Sequence, residues 1–412
     1  MSFEWISCRL EDVLEIKYGK DHKKLADGVI PVYGSGGIMR YVDTALYDDE
    51  SILIPRKGSL NNVLFENKPF WTVDTMFWSK VDKSRVFPKF LFYQLSIVDF
   101  MSLSIGSAVP SMTVPLLNAL EILLPPLADQ KEIASILSSL DNRISLLRET
   151  NTTLEAIAQT LFKSWFVDFD PVKAKAEGKQ PEGMDEATAA LFPSEFEESA
   201  LGLIPKGWRI GTLGDVVETV GGATPSTKET EFWEPSEFAW TTPKDLSSLQ
   251  SPILLHTERK LSKKGVEKIN SGLLPVGTLL LSSRAPIGYL AITKIPVAIN
   301  QGYIAMLPHG TLPPLYLLYW CRNNMDTINA RANGSTFMEI SKKAFRPIQI
   351  VVPSEVTIIA FLKIIEVLFD RLTENEKQSQ TLTTLRDTLL PRLISGQLRI
   401  NQAQDVINEV GA

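Results

Sequence analysis

The chain has 412 residues, of which 44% are hydrophobic and 22% charged, a composition typical of globular proteins. This length exceeds that of one ordinary domain, so we expect two or more. The opening residues, MSFEWISCRL, predict no signal peptide, and no apolar run approaches the ~20 residues needed to cross a bilayer. The only cysteines, Cys8 and Cys321, are too few for a disulfide framework. These features argue against a secreted or membrane protein, and we expect a cytoplasmic one.

The net charge of −6 is unevenly distributed along the chain. Residues 167–200 carry nine acidic residues against three lysines, whereas residues 206–352 carry sixteen lysines and arginines against eleven acidic residues. Residues 1–125 carry thirteen basic residues against fifteen acidic ones. Because local charge decides whether phosphates are attracted, residues 206–352 suit nucleic-acid binding despite the acidic total. The first segment gives no such support.

Residues 1–125 are predicted to form a first globular domain. They contain short β-rich runs, such as SILIP at 51–55, which are punctuated by glycine and proline. A similar run, TLLL at 278–281, lies within residues 206–353, the predicted second domain. Both segments therefore predict a mixed α/β fold with small irregular sheets.

A long helix is predicted over residues 126–167, because apolar residues recur at alternating spacings of four and three. Asn151 occupies a position that this spacing assigns to an apolar side chain. Pro125-Pro126 stands at the start of the helix, where proline is tolerated. The predicted apolar seam consists of Ile133, Leu137, Leu140, Ile144, Leu147, Leu154 and Leu161.

Residues 168–205 are rich in proline, glycine and charge, which predicts a linker. One short helix is expected within it, around Ala187–Leu191. The composition is that of a solvated spacer, and a contact between this linker and a partner subunit is the alternative that the sequence leaves open.

A second long helix is predicted over residues 354–397, followed by a C-terminal tail over residues 398–412. Its interior also contains polar positions, at Asn375, Ser379 and Arg386. Pro391 lies late in the helix and should kink or end it. The predicted seam consists of Phe361, Ile365, Leu368, Leu372, Leu382 and Leu389.

The two halves of the chain repeat each other. From Gly106-Ser107 and Gly334-Ser335 onward, about 60 residues align without a gap at a fixed shift of 228. Near the start of each half, LEDV at 10–13 matches LGDV at 213–216 with a shift of 203, so the second half carries about 25 extra residues.

The sequence therefore predicts an α/β (α+β) fold with a pseudo-twofold internal repeat, in which two long helices separate two globular domains. Both seams are narrow, stay in register for about five heptads and contain polar positions of the kind that fix register. These features favour an intramolecular antiparallel coiled coil. The alternative is that each amphipathic helix packs on its own domain.

Long stretches of the chain resemble the specificity subunits of type I restriction-modification systems. LPPLADQKEIASILSSLDNRI, continuing to LFKSWFVDF, is similar to the central conserved region of that family. VVPSEVTIIAFLKIIEVLFDRL, followed by LRDTLLPRLISGQL, is similar to its C-terminal conserved region. The stretches that resemble its target-recognition domains are IPVYGSGGIMRYVD, LIPRKGSLNNVLFENKPFWTVDTMFW, TVGGATPSTKETEFWEPSEFAWTTPKDL and LLLSSRAPIGYLAITKIPVAINQGYIAM. The second helical region departs from the first, because it has Pro353-Ser354 where the first has Pro125-Pro126 and no glutamine matching Gln130.

The resemblance covers nearly the whole chain and implies a non-catalytic protein that reads double-stranded DNA with a split recognition sequence. Two similar domains held apart by helices of fixed length suit two half-sites at a fixed separation. The expected partners are two methyltransferase subunits and, in the full complex, restriction subunits. The resemblance places S-adenosylmethionine and ATP on those partners and implies no cofactor and no metal site in this chain.

Candidate DNA-reading residues follow from the chemistry of base edges and phosphates. Backbone amides in glycine-rich turns and cationic side chains suit phosphates, whereas Arg284 suits a bidentate contact to guanine and Gln301 one to adenine. In the first domain the candidates are Tyr33, Gly34, Ser35, Gly36, Gly37, Arg56, Lys57 and Ser59. In the second they are Thr224, Ser226, Lys244, Arg284, Asn300 and Gln301.

Two other functional classes compete with this interpretation. A self-contained restriction enzyme or methyltransferase would need its own active site, but the tetrad at 67–70 (NKPF) matches a methyltransferase motif poorly, and EIK at 15–17 is only half of a nuclease signature. No phosphate loop of the form GxxxxGK[ST] occurs. A coiled-coil scaffold without DNA binding would explain the helices but not two differing globular domains.

Overall fold

The computed structural model describes residues 5–104, 110–334 and 338–410. Three of the residues at which the sequence repeat begins, Gly106, Ser107 and Ser335, lie outside the described residues.

The chain divides into two compact units, of which one contains Met1–Ser145 with Gln380–Ala412 and the other contains Leu146–Ser379. Both long helices cross this division, so each unit combines a globular part with portions of both helices. The domain limits predicted from sequence remain a prediction.

The first unit has small sheets with short helices between them. One sheet has the strand order β2-β8-β5-β6, a second the order β4-β3-β7, and β1 pairs with β9. Neighbouring strands are antiparallel except β3 and β7, which are parallel. The elements are β1 (Ile6–Arg9), β2 (Leu14–Tyr18), β3 (Asp27–Gly34), β4 (Gly37–Val42), β5 (Ser51–Pro55), β6 (Leu64–Glu66), β7 (Trp71–Thr72), β8 (Met76–Val81), α1 (Pro88–Ser96), α2 (Phe100–Leu103), α3 (Val114–Asn118) and β9 (Glu121–Leu124).

The first long helix, α4, follows at Leu127–Phe166. The second unit then has a sheet of order β13-β20-β17-β18-β15, a sheet of order β16-β14-β19, and the pairs β10-β11 and β12-β21. Its elements are α5 (Asp170–Ala176), α6 (Glu186–Ala190), β10 (Phe196–Ser199), β11 (Gly202–Pro205), β12 (Arg209–Thr212), α7 (Leu213–Val216), β13 (Val217–Val220), β14 (Phe238–Thr241), α8 (Pro243–Ser247), β15 (Ile253–Leu254), β16 (Arg259–Leu261), α9 (Lys263–Glu267), β17 (Leu279–Ser283), β18 (Ile287–Thr293), β19 (Ala298–Ile299), β20 (Tyr303–Gly310), α10 (Pro314–Asn323), α11 (Met325–Ala330), α12 (Lys342–Phe345) and β21 (Gln349–Val352).

The two globular parts share one topology, which confirms the internal repeat. The order β2-β8-β5-β6 recurs as β13-β20-β17-β18, and β4-β3-β7 recurs as β16-β14-β19 with the same parallel pair. Both folds also bring a glycine against the backbone at the end of the last strand of the three-stranded sheet. A Cβ on Gly19 would lie 2.0 Å from Val73 O, and one on Gly222, at the shift of 203, would lie 1.8 Å from Ile299 O. Only glycine fits at either position.

The second long helix, α13, spans Glu355–Ile394, and at forty residues it matches α4 in length. The side chain of Asn375 on α13 contacts Asn151 on α4, and Phe361, earlier on α13, contacts Phe162, later on α4. Since residue numbers decrease along α13 as they increase along α4 from one contact to the next, the helices run antiparallel. This confirms the predicted coiled coil.

Beyond Pro391 the helix α13 continues for only three residues. It ends with Gly396 at φ +73°, a conformation that favours glycine, and Leu398 N donates to Arg392 O at 3.0 Å. A final helix, α14 (Ile400–Val410), buries Ala403 and Ile407. The helix therefore ends within one turn of Pro391, which agrees with the prediction that this proline should kink or end it.

The core of the second unit is rich in aromatic side chains at the end of α4. Phe162, Trp165 and Phe166 are buried, and the ring of Phe361 on α13 lies 5.0–6.0 Å from all three rings. Rings at these separations stabilise by large buried area and by edge-to-face contacts. The ring of Tyr316 on α10 also packs against Phe162 and Phe166, so this cluster joins the helices to the globular part of the same unit.

The segment predicted to be a linker is folded as part of the second unit. It contains α5, the hairpin β10-β11 and α6, which confirms the short helix expected near residue 187. Val172 and Phe192 from this segment are buried in the same core as Trp208. Within the described residues, no helix is both long enough and apolar enough to span a membrane.

Candidate nucleic-acid interface

The first unit brings its two predicted DNA-contacting segments together. Tyr33–Gly37 covers the hairpin turn between β3 and β4, and Arg56–Ser59 forms the loop after β5. Asn62 Nδ2 donates to Ser35 O at 2.9 Å, and a Cβ on Gly58 would lie 2.9 Å from Ser35 Oγ. Two segments about twenty residues apart in sequence therefore meet at one place.

The hairpin turn is anchored by Tyr33 and open at Gly36 and Gly37, whereas Gly34, also predicted to contact DNA, is buried. Tyr33 OH donates to Glu66 Oε2 at 2.5 Å, and burial, reinforced by this hydrogen bond, raises the pKa of Tyr33. Gly36 is exposed, and Gly37 has φ +114°, a region that favours glycine. Small residues in an exposed turn leave room for a phosphate to approach the backbone.

The loop after β5 is held mainly through its backbone. Arg56 N donates to Thr75 O at 2.9 Å, and the Arg56 guanidinium donates to Asp74 O at 3.2 Å. Lys57 forms a backbone bridge with Ser111, and Ser59 is exposed. A carbonyl oxygen carries no net charge, so this contact does not neutralise the Arg56 guanidinium.

In the second unit, Thr224 Oγ1 donates to Gln301 Oε1 at 2.7 Å across 77 residues of sequence. Asn300, next to Gln301, has a structural role, because its Oδ1 accepts from Gly302 N at 2.9 Å. Ser226 is held nearby, since its carbonyl oxygen accepts from Trp233 Nε1 at 3.0 Å. The structure therefore places Thr224 and Gln301 together and assigns Asn300 to the turn that supports them.

Gln301 lines an open cleft of about 410 Å³. Lys268, Asn270 and Lys342 line the same cleft, and none of the three was selected from the sequence. The one sequence signal for the two lysines was the surplus of basic residues over 206–352. A concave surface with amide and cationic groups can hold both a base edge and a phosphate.

Two of the predicted cations are engaged in ion pairs within the second unit. Arg284 Nη1 lies 3.6 Å from Glu339 Oε2, and Lys244 Nζ lies 3.0 Å from Glu258 Oε2. The side chains in both pairs are at least 36% exposed, and exposed pairs contribute only about 0–1 kcal/mol. A DNA group can therefore displace either carboxylate at little cost.

Arg56 and Arg284 occupy equivalent positions in the two folds. Each directly follows a buried strand, β5 or β17, and their numbers differ by 228, the shift that also relates the two long helices. The repeat therefore places one arginine at the same point of each domain.

The predicted seam residues lie mostly inside the helical pair. Leu154, Leu161 and Leu368 are partly buried. The buried ones are Ile133, Leu137, Leu140, Ile144, Leu147, Phe361, Ile365, Leu372, Leu382 and Leu389.

Cys8 and Cys321 are free thiols, and burial raises the pKa of Cys321 to about 12, so its thiol is protonated at neutral pH. In the part of the chain that the structure describes, no group of three or more His, Cys, Asp or Glu side chains is placed to hold a metal ion.

The repeated α+β domains and the antiparallel helices define a class of proteins built from two similar globular domains and two long helices. The chain belongs to the type I restriction modification DNA specificity domain family, whose model matches residues 3–156 and 205–382.

Similar proteins agree with this assignment. The chain is 28% identical over 366 residues to the type I restriction enzyme HindI specificity subunit of Haemophilus influenzae, covering 76% of this chain and 78% of that protein. It is 35% identical over 195 residues to the type I restriction enzyme MjaIX specificity subunit of Methanocaldococcus jannaschii, covering 45% and 43%. The fold is similar to the crystal structure of a type I restriction-modification S subunit from M. genitalium, with a TM-score of 0.59, 19% identity, and coverage of 95% and 96%.

Proposed function

We propose that this chain is the sequence-reading subunit of a type I restriction-modification complex and recognises a bipartite double-stranded DNA target. The observation that carries this proposal is the equivalence of Arg56 and Arg284, each of which follows the same strand of a repeated domain beside a polar turn or cleft. One such domain reads one short block of bases, so two of them read a split sequence. Side chains from the predicted set contact base edges, and cations around them contact phosphates.

The chain also acts as a scaffold for catalytic partners. Two methyltransferase subunits and, in the full complex, restriction subunits bind it, and those partners carry S-adenosylmethionine and ATP. The relatives named as specificity subunits of restriction enzymes support this division of labour. The complex works in the cytoplasm, and this chain performs no chemistry on the DNA.

Assays of methyl transfer and of cleavage, on the purified chain alone and with its partners, test this proposal. We expect no activity from the chain alone, weak DNA binding alone, and tight binding with the methyltransferase subunits. Methylation or cleavage by the chain alone would establish the alternative, a self-contained enzyme.

A further inference from the structure

An arginine outside the predicted set lies over a tryptophan ring in the second unit. The guanidinium carbon of Arg259, on β16, lies 3.6 Å from the centroid of the Trp233 indole and 5.2 Å from that of Trp240. The two indoles are themselves in edge-to-face contact at 5.2 Å. Because a guanidinium that lies over a ring uses its face for the contact, its N–H edge remains available to another partner.

The positive charge of Arg259 is not neutralised within the described residues. There, no carboxylate oxygen lies within 4.0 Å of its nitrogens, and the Arg259 side chain is exposed. Glu258, the acidic residue next to Arg259 in sequence, pairs instead with Lys244 at 3.0 Å. Arg259 is therefore a fixed, exposed cation.

The first unit contains the equivalent arginine in a different state. Val32 and Trp240 hold the same place in the two folds, because each pairs in parallel with the last strand of its three-stranded sheet. On the other side, Val32 is paired with Arg40, and Trp240 with Arg259. Arg40, however, donates to Asp27 Oδ1 at 2.6 Å. The same backbone position thus carries a neutralised arginine in one domain and an unneutralised one in the other.

Arg259 also lies beside the candidate DNA-contacting loop of its own unit. Trp233 Nε1 donates to Ser226 O at 3.0 Å, and Trp240 Nε1 donates to Ala223 O at 3.3 Å, so both indoles hold the loop that carries Thr224. A cation fixed next to this loop can bind the DNA phosphate backbone. Such a contact would set the register of the loop on the DNA.

We propose that Arg259, held on Trp233, binds a DNA backbone phosphate and positions the second domain on its half-site. This inference rests on the proposed DNA-reading function. The contact is to phosphate, because an unneutralised guanidinium supplies two N–H groups to phosphate oxygens whatever the base sequence. The equivalent Arg40 is engaged within its own domain, since its Nη2 donates to Asp27 Oδ1 at 2.6 Å and to Leu25 O at 3.3 Å.

The test uses the full chain in complex with its methyltransferase subunits and measures DNA affinity by fluorescence anisotropy. One duplex carries the motif identified by methylation mapping, and a second carries the same bases scrambled. Arg259→Gln is expected to weaken binding to both duplexes by a similar factor, about tenfold. It should also reduce the slope of log affinity against log salt by about 0.9, the value for one phosphate contact. Arg40→Gln, the matched control at the equivalent position, should reduce affinity and salt slope by less, because Asp27 already offsets the charge of Arg40.

A second variant separates the charge from its support. Trp233→Leu keeps the cation but removes the ring that fixes it and the hydrogen bond from Trp233 Nε1 to Ser226 O, so we expect a smaller loss of affinity with the salt slope retained. Unchanged affinity in Arg259→Gln would overturn the inference, and a loss confined to the motif duplex would make Arg259 a base contact instead. A wild-type complex that binds neither duplex would contradict the proposed function itself.

Discussion

Asn375 Nδ2 on α13 donates a hydrogen bond to Asn151 Oδ1 on α4 at 2.9 Å, inside the seam between the two helices. Asn151 Nδ2 in turn donates to Leu372 O at 3.2 Å, and the two asparagines are only 4% and 2% exposed. A slip of either helix by one heptad would leave buried amides without partners. The asparagine pair therefore sets the register between α4 and α13.

Removing one asparagine should destabilise the helical pair more than removing both. Asn375→Leu leaves Asn151 Oδ1 buried without its donor, which costs about 1–3 kcal/mol, whereas Asn151→Leu with Asn375→Leu replaces both by apolar groups and costs less. Urea unfolding of the wild type, the two single variants and the double variant measures this difference. A double variant as unstable as the sum of the single ones would show that the pair does not act as a unit.

Asp141 should fix the first globular part to the helices within the first unit. Its carboxylate accepts from Tyr93 OH at 2.6 Å and from Arg386 Nη1 at 2.8 Å. Asp141→Ala removes both bonds and is expected to cost about 1–3 kcal/mol, with faster amide hydrogen exchange in α1, which carries Tyr93. Glu132→Ala, at an exposed position of α4, is the control. Equal protection of α1 in the two variants would contradict this role.

Arg284→Ala should relax base preference in one half-site and leave the other unchanged. Loss of a bidentate contact to guanine costs about 1–3 kcal/mol of discrimination. The equivalent change, Arg56→Ala, should act on the other half-site, so each variant is the control for the other. Selection of bound sequences from a random pool by the complex measures both. Equal weakening on every sequence would make these arginines phosphate contacts.

The length of the helices should set the unread spacer between the half-sites. Inserting seven residues after Ser145 and seven after Ser379 keeps the seam in phase and adds about 10 Å of helix, or about three base pairs. Methylation mapping should then report a motif whose spacer is longer by that amount. An insertion in α4 alone shifts one seam against the other and should abolish assembly. An unchanged spacer with both insertions would reject this relation.

The long helices could be predicted because their buried apolar residues recur at alternating spacings of four and three along the sequence. The seam positions from Ile133 to Leu147 follow that period and are buried. At the end of α4, the prediction missed Phe162 and Phe166. There the helix packs against the globular core of the second unit as well as against α13, so its buried face is wider than a heptad seam.

The candidate site was predictable only in part, because it depends on strand pairing between distant segments. Thr224 and Gln301 were both predicted as DNA-reading residues. Their hydrogen bond forms only because the fold brings together two segments that are 77 residues apart in sequence. Arg259 was missed because its proposed role depends on which side chains the fold brings next to it. Arg40 lies at the equivalent position. No local sequence pattern predicts that Arg40 pairs with Asp27 whereas Arg259 packs on Trp233.

Methylation mapping of host DNA tests the central claim most directly. The cell would carry the active partner methyltransferase together with the wild-type chain, with no copy of this chain, or with a chain whose residues 206–353 are exchanged for those of another family member. We expect methylated adenines in a split motif with the wild type, their loss without the chain, and a change in one half of the motif after the exchange. A motif that stays the same in all three cells would contradict a role for this chain in reading DNA.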